Sequence, residues 1–200
     1  MKIIGLTGPS GSGKGTAARI LETHGVPTID TDEVYRKILI PPSPCLNELK
    51  ATFGSGVIKV DGTLDRKALA AIVFADRDSL SLLNKVTHKY ILERTKKRIA
   101  YRRRCGAPAV TVDAPALFEA GFENHCDFVI AVIAERDSRI ERIMQRDGLD
   151  RTAAQRRIDG QPPDEFYTRR SDYVIRNDGS SEELEAAVLD ILRREKIKLT

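Results

Sequence analysis

The sequence predicts an α/β fold with a central parallel sheet flanked by helices, and three observations carry that prediction. Residues 109–113 and 128–134 are almost continuously apolar, as expected of strands that are covered on both faces. Strand-like and helix-like segments alternate along the chain, which favours parallel pairing. With 200 residues, of which 41% are hydrophobic and 31% charged, the chain is long and apolar enough to bury a core.

Two insertions interrupt the alternation of strands and helices. Residues 32–106 hold several helical patterns and few strand signals, and residues 135–170 contain nine arginines interspersed with acidic residues. Strands are expected at residues 2–7, 26–30, 109–113, 128–134 and 173–176 (the last at a sheet edge), with helices at 14–24 and 182–196. We therefore expect a core formed by residues 1–31, 107–134 and 171–200.

The composition argues against a membrane protein and against a secreted one. No apolar run approaches the roughly 20 residues of a membrane helix, and the chain reaches Gly8 too soon for a signal peptide. Cys45, Cys105 and Cys126 are widely spaced and odd in number, which indicates free thiols in a reducing compartment. We therefore expect a cytoplasmic location. The net charge of +4 suits a polyanionic partner such as a nucleotide, a coenzyme or nucleic acid.

A phosphate-binding loop follows the first predicted strand. The string from Gly8 to Thr16 reads GPSGSGKGT and matches the pattern GxxxxGK[ST] except at its last position. Glycines let the backbone turn so that successive N–H groups point into one concavity, and the next helix directs the positive end of its dipole there. Lys14 is expected to reach the β- and γ-phosphates. The residues expected to bind ATP in this loop are Gly11, Ser12, Gly13, Lys14, Gly15 and Thr16.

Gly15 departs from the loop pattern at the position whose Ser or Thr hydroxyl normally binds Mg²⁺. Thr16 or Ser12 could supply the hydroxyl instead, or water and carboxylates could hold the ion. Of these, Thr16 is our candidate metal ligand. The same glycine occurs in adenylate and cytidylate kinases, which this string resembles. The departure is therefore compatible with phosphoryl transfer.

Carboxylates follow two of the predicted strands, at the edge where open α/β sheets form their ligand crevice. Asp30 and Asp32 follow the second strand, and Asp113 ends the third. Asp32 fits two roles about equally, as a general base for an attacking hydroxyl or as the N-cap of a helix beginning at Glu33. Asp113 fits a contact to Mg²⁺ or to the acceptor, with a cap or turn before Pro115 as the alternative.

The basic residues form two groups. Arg142 and Arg146 share one helical face and, in a lid over a triphosphate, would offset charge on the transferring group, whereas most of the nine arginines are expected to be solvated. Residues 89–104 hold eight Lys or Arg against Glu93. Because no nucleic-acid recognition motif accompanies this basic run, a solvated helix is favoured over a nucleic-acid site.

Along nearly all of its length, the sequence resembles the dephospho-coenzyme A kinase family. The order and spacing of the matching strings are specific, although each string is modest alone. They are Gly5-Leu6-Thr7-Gly8, Gly11-Ser12-Gly13-Lys14, Gly25-Val26-Pro27, Ile29-Asp30-Thr31-Asp32, Ser43-Pro44, Phe53-Gly54, Asp61-Gly62, Leu64-Asp65-Arg66, Val73-Phe74, His88, Asp113-Ala114-Pro115, Leu117-Phe118-Glu119, Arg142, Met144, Arg146-Asp147-Gly148, Gln161 and Asn177.

The resemblance implies a P-loop kinase in which residues 32–106 receive dephospho-coenzyme A and residues 135–170 form a mobile lid. It implies MgATP as the donor and the ribose 3′-hydroxyl of dephospho-coenzyme A as the acceptor. Asp32 falls on the family's proposed general base, Lys14 on its phosphate-binding lysine and Arg142 on a lid arginine. The remaining matches are Asn177, where the family's C-terminal loop approaches adenine, and His88 and Asp113 on the substrate side.

This sequence departs from the family pattern at several positions, which are Gly15, Lys89 after His88 (usually Pro), Ala116 (usually Leu), Arg139 (usually Gln) and Tyr167 (often Lys). Two alternatives therefore stay open. One is a nucleoside monophosphate kinase such as cytidylate kinase, and the other is a catalytically weak regulatory protein that binds a nucleotide or coenzyme. The expected partners are ATP and dephospho-coenzyme A, without nucleic acid or membrane, in a monomer or weak homo-oligomer.

Overall fold

The computed structural model describes residues 1–198, with the backbone alone at Arg77. Its sheet has five strands in the order β2-β3-β1-β4-β5, and the pairs β1–β3, β1–β4 and β4–β5 are parallel. The strands are β1 (Lys2–Thr7), β2 (Thr28–Asp30), β3 (Ala109–Asp113), β4 (Phe128–Ile133) and β5 (Tyr173–Arg176). The predicted fold class is confirmed, and β5 lies at the edge as expected.

Nine α-helices connect the strands within the described residues. They are α1 (Lys14–Thr23), α2 (Thr31–Ile38), α3 (Pro44–Phe53), α4 (Arg66–Ala75), α5 (Arg77–Arg104), α6 (Arg136–Asp147), α7 (Arg151–Asp159), α8 (Asp164–Thr168) and α9 (Ser181–Arg194). In residues 1–198, no helix combines the length and the apolar character needed to cross a membrane.

Helices α1 and α9 pack on one face of the sheet. Ile4 and Leu6 of β1 are fully buried there, together with Leu21 of α1 and Leu192 of α9. These side chains alternate along β1 because successive residues of a strand point to opposite faces. This packing fixes the end of β1 and the start of α1 relative to each other, and so positions the phosphate-binding loop of residues 8–13 that joins them.

The chain divides into two compact units. One combines Met1–Ile29 with the chain from Ile99 onward and contains most of the sheet, and the other is Asp30–Arg98. Within the second unit, Leu46 and Leu49 of α3 and Val86 of α5 belong to a separate buried apolar cluster. This helical unit therefore has a hydrophobic core of its own.

Helix α5 runs without interruption through 28 residues. His88 therefore lies in the interior of α5 and not at its start. Lys89, which follows it in place of proline, continues the helix and forms an ion pair with Glu48 of α3 at 2.8 Å. The uninterrupted helix is consistent with that substitution, since a proline in a helix interior removes a backbone hydrogen bond.

Candidate active site

The phosphate-binding loop depends on glycine at three positions where the backbone has a positive φ. Gly8, Gly11 and Gly13 have φ values of 147°, 79° and 95°. A Cβ atom on Gly8 would lie 2.1 Å from the carbonyl oxygen of Val132, and one on Gly11 would lie 2.6 Å from that of Arg139. The loop is therefore packed tightly against the chain behind it, and side chains are excluded at these positions.

Lys14 begins α1, and its ammonium group forms an ion pair with the carboxylate of Asp113 at the end of β3. Both side chains are largely buried, with 16% and 12% of their surfaces exposed. Because β1 and β3 are adjacent parallel strands, the loop after one and the last residue of the other meet at the same sheet edge. The sheet therefore brings together two of the residues predicted for the site.

Asn177 and Arg142 hold the loop through its carbonyl groups. The side-chain amide of Asn177 donates a hydrogen bond to the carbonyl oxygen of Ser12 at 2.8 Å. Arg142 donates to the carbonyl oxygens of Gly11 at 3.3 Å and Asn177 at 2.8 Å. Both side chains therefore contact carbonyl groups of the loop backbone and hold its shape.

Arg139 and Gln161 form a second support for the loop. Only 5% of Arg139 is exposed, and its guanidinium donates hydrogen bonds to the Ser10 carbonyl oxygen at 3.0 Å and to an Asp164 carboxylate oxygen at 3.1 Å. Gln161 accepts a hydrogen bond from the Ser10 backbone N–H at 3.0 Å. Burial lowers the pKa of the Arg139 guanidinium, and the neighbouring Asp164 charge opposes that shift. Residues 139–164 are thereby joined to the loop through Ser10.

The three candidate hydroxyl positions differ in their surroundings. Ser12 is fully buried, and its hydroxyl has no hydrogen-bond partner among the described residues. The Thr16 hydroxyl accepts a hydrogen bond from Arg19 at 3.3 Å. A Cβ atom added to Gly15 would have no heavy atom within 4 Å, apart from its chain neighbours and its own helix backbone. Space is therefore open where the usual hydroxyl would begin.

Asp30, and not Asp32, caps helix α2. The Asp30 carboxylate accepts hydrogen bonds from the backbone N–H groups of Asp32 at 2.7 Å and Glu33 at 3.2 Å. The alternative interpretation of Asp32 as an N-cap is therefore wrong, since α2 already begins at Thr31. The Asp32 side chain is exposed and forms no hydrogen bond or ion pair within the described part of the chain. Its carboxylate is available for chemistry.

Glu33 lies next to Asp32 and forms ion pairs with Lys37 at 2.6 Å and Arg98 at 2.8 Å. Hydrogen bonds from Lys37 and Arg98 lower the pKa of Glu33 from 4.5 to about 2. These contacts join the first turn of α2 to the later part of α5 within the helical unit. The helix that carries Asp32 is thereby held in place by a charged network.

Tyr167, at the position where the family often has lysine, lies in the interior. It is 3% exposed and packs edge-on against Phe166, with ring centroids 5.2 Å apart. Burial raises the pKa of the Tyr167 hydroxyl. Tyr167 therefore contributes packing to α8, and no phosphate contact is assigned to it.

The loop contacts of Arg139 and the capping role of Asp30 were not predicted from the sequence. Gln161 appeared only as a matching residue, without a role. Arg139 and Ser10 are 129 positions apart, so no local pattern relates them. For Asp30 a signal was present, because a carboxylate two residues before Asp32 and three before Glu33 has the spacing of an N-cap.

The phosphate-binding loop between β1 and α1, with its lysine and the carboxylate that ends a neighbouring strand, defines a P-loop kinase. The family model described as dephospho-CoA kinase matches residues 2–183. The dephospho-CoA kinase of Corynebacterium glutamicum is 40% identical over 189 residues, which cover 94% of this chain and 97% of that protein. The chain belongs to the dephospho-CoA kinase family of phosphotransferases.

Two solved structures are similar to this chain over nearly all of its length, and the second is named as a dephospho-CoA kinase. A Thermus thermophilus protein, named TT1252, is 35% identical with a TM-score of 0.80, and the match covers 96% of this chain and 97% of that one. The dephospho-CoA kinase of Campylobacter jejuni is 27% identical with a TM-score of 0.69 and 96% coverage of both chains. The likeness therefore extends across both units of the chain.

Proposed function

We propose that the protein transfers the γ-phosphoryl group of ATP to the ribose 3′-hydroxyl of dephospho-coenzyme A, forming coenzyme A and ADP, which is the last step of coenzyme A synthesis. The observation that carries this proposal is the Lys14–Asp113 pair beside a phosphate-binding loop, in a chain of this family. The proposal is further supported by the loop sequence where β1 ends and by a separate helical unit whose Asp32 carboxylate is exposed.

The loop and Lys14 bind the donor. Backbone N–H groups and the positive end of the α1 dipole attract the phosphates. Lys14 exchanges its contact with Asp113 for the β- and γ-phosphate oxygens and offsets the charge that develops during transfer. Arg142 and Asn177 keep the loop in shape through the carbonyl groups of Gly11 and Ser12. Arg142 is also proposed to offset charge on the transferring group, and Asn177 to lie near adenine.

The site also fits a magnesium ion that arrives with ATP and keeps several of its waters. Within residues 1–198, no cluster of three or more His, Cys, Asp or Glu side chains could hold a metal. Asp113 nevertheless supplies a hard oxygen ligand next to Lys14, and the open space at Gly15 has room for water in place of the usual hydroxyl. Bound Mg²⁺ would neutralise charge on the phosphate oxygens. Thr16 stays a prediction as a further ligand.

We assign to Asp32 the role of orienting and deprotonating the acceptor hydroxyl. A carboxylate without a protein partner can orient the 3′-hydroxyl and accept its proton as the oxygen attacks. His88 and Asp113 are proposed as substrate-side contacts of the acceptor. Residues 32–106 are proposed as the acceptor domain and residues 135–170 as the lid.

The test is ADP formation by the purified protein with MgATP, measured with and without dephospho-coenzyme A. We expect turnover that depends on dephospho-coenzyme A and is not supported by CMP, UMP or AMP. Turnover with a nucleoside monophosphate alone would instead favour the nucleotide kinase alternative. Binding of ATP and dephospho-coenzyme A without any turnover would favour the regulatory alternative.

A further inference from the structure

The first part of the phosphate-binding loop is a type II turn formed by Pro9, Ser10, Gly11 and Ser12. The Ser12 N–H donates a hydrogen bond to the Pro9 carbonyl oxygen at 3.2 Å, which closes the turn. Gly11, the third residue of the turn, has a φ of 79°, whereas the φ of Ser10 is not positive. This combination distinguishes a type II turn from types I and I′. The peptide group between Ser10 and Gly11 is therefore rotated by about 150° from its type I orientation.

Arg139 holds this central peptide group by its carbonyl oxygen. The Arg139 Nε donates a hydrogen bond to the Ser10 carbonyl oxygen at 3.0 Å. Because a trans peptide is planar, its C=O and N–H bonds point in opposite directions. The Gly11 N–H therefore points away from the Arg139 guanidinium, and it forms no hydrogen bond with any described residue.

The loop sequence alone does not fix the orientation of the central peptide group. Glycine adopts positive and negative φ about equally readily, so Gly11 is compatible with a type I turn as well as with type II. Among the described side chains, only that of Arg139 forms a hydrogen bond with this peptide group. The bond comes from a charged donor and is therefore stronger than a neutral one. Arg139 thus selects one of two orientations that the glycine permits.

Arg139 is itself held by two further contacts. Its guanidinium donates hydrogen bonds to Asp164 at 3.1 Å and to the Gln161 side-chain oxygen at 3.3 Å. The same Gln161 oxygen accepts the hydrogen bond from the Ser10 N–H. Only 5% of Arg139 is exposed, so water does not compete for these contacts. The guanidinium is therefore fixed in the geometry that holds the Ser10 carbonyl.

The Gly11 N–H is a donor in a loop whose backbone N–H groups form an anion site. Gly11 is partly exposed, so a ligand can reach it. We propose that Arg139 is a positioning residue for the donor nucleotide, which holds the Ser10 carbonyl and thereby directs the Gly11 N–H to a phosphate oxygen of ATP. Arg139 does not touch ATP and acts through the peptide group. This inference rests on the proposed function, because it takes ATP as the donor.

The first experiment compares Arg139→Met with Arg139→Gln. The glutamine amide nitrogen is the same number of bonds from the backbone as the arginine Nε, so it can keep the hydrogen bond to Ser10, whereas methionine has a methyl group there. Both variants lose the ion pair with Asp164. Titration calorimetry of the full chain with MgATP should show Kd weakened about tenfold by Arg139→Met and less than about threefold by Arg139→Gln. An equal loss in both variants, or a loss in neither, would overturn the inference.

Asp164→Asn is the matched control for stability. It removes the same ion pair but leaves Arg139 on the Ser10 carbonyl. The Kd for MgATP should therefore stay within about twofold of the wild type, even where a thermal unfolding scan shows lower stability. A tenfold weaker Kd in Asp164→Asn would mean that the ion pair, and not the hold on Ser10, supports ATP binding, which is incompatible with the inference.

The second experiment needs no variant and therefore does not depend on the folding of Arg139→Met. In the wild type labelled with ¹⁵N-glycine, MgATP should move the Gly11 amide proton resonance to lower field, because a hydrogen bond to an anion deshields the proton. Gly106 precedes β3, at the opposite end of the strands, and its resonance should not move. A Gly11 resonance that does not respond to MgATP would contradict the inference.

Steady-state kinetics separate this inference from the proposed function. Arg139→Met should raise KM for ATP about tenfold and leave kcat within about threefold, as for a contact made equally in the ground state and the transition state. A shifted Gly11 resonance and weaker ATP binding in Arg139→Met, without turnover of dephospho-coenzyme A by the wild type, would refute the proposed function alone. Normal wild-type turnover with unchanged KM and Kd for ATP in Arg139→Met would refute the role of Arg139 alone.

Discussion

The ammonium group of Lys14 and the carboxylate of Asp113 form a largely buried ion pair between the first turn of α1 and the end of β3. A buried charge is costly unless it is paired. Each charge of the pair therefore has a partner of opposite sign, and we expect phosphate oxygens of ATP to replace the carboxylate as the partner of Lys14.

Lys14→Ala should lower kcat/KM by at least about 10²-fold, because a positioned cationic donor stabilises charge that develops on the transferring group. Steady-state ADP formation with dephospho-coenzyme A provides the measurement. A thermal unfolding scan should show that the variant is still folded at the assay temperature. Activity close to that of the wild type would exclude the proposed role of Lys14.

Asp32→Asn should reduce kcat by about 10²–10⁴-fold, as expected when a general base is removed, while the free energy of unfolding stays nearly unchanged. Asp30→Ala should instead lower the free energy of unfolding by about 1 kcal/mol, because it removes the N-cap of α2. Urea denaturation and single-turnover kinetics of both variants separate the two effects. Wild-type kcat in Asp32→Asn would show that Asp32 is not the base.

Gly15→Ser should be tolerated, because an added Cβ meets no neighbouring atom and the φ of Gly15 is not positive. Serine should favour the helix over glycine by about 0.5 kcal/mol, and its hydroxyl should lower the Mg²⁺ concentration needed for half-maximal rate. Gly13→Ser is the matched contrast, because its Cβ would lie 2.0 Å from the Asn177 amide nitrogen. Thermal unfolding should show a loss of stability for Gly13→Ser only. A lower melting temperature for Gly15→Ser would contradict this account.

Glu33 should make part of the stability dependent on acid. Its pKa is about 2 in the folded protein and 4.5 ordinarily, so its contribution is complete above about pH 4.5 and declines as the pH falls toward 2. The side chain is 40% exposed, and solvent screening keeps this contribution small. The difference in unfolding free energy between wild type and Glu33→Gln should therefore shrink over that interval. Arg98→Gln should reduce the same difference, and a difference that is constant from pH 7 to pH 2 would refute the assignment.

The strands and the phosphate-binding loop could be predicted because their signals are local. The β1 and β3 bounds match the prediction at both ends, since continuous apolar runs have few alternative structures. The interior position of His88 could not be predicted, because α5 is polar around most of its circumference and its pattern does not indicate where the helix begins.

The supports of the loop depend on contacts between distant parts of the chain. Asn177 reaches Ser12 across 165 positions, and Arg139 reaches Ser10 across 129. No periodicity or short motif encodes such pairs, which exist only after the sheet has brought the segments together. Whether Asp30 or Asp32 caps α2 depends in turn on the residue at which β2 ends.

The strand order has a consequence for how the chain is made. Strand β1 is synthesised first, yet its partners begin at Ala109 and Phe128. At about 5–20 residues per second, β1 waits roughly 5–20 s on the ribosome before β3 exists. Residues Asp30–Arg98 are complete during this interval and have their own apolar cluster. In vectorial synthesis, we therefore expect the helical unit to assemble its apolar cluster before the strands around the nucleotide site can pair.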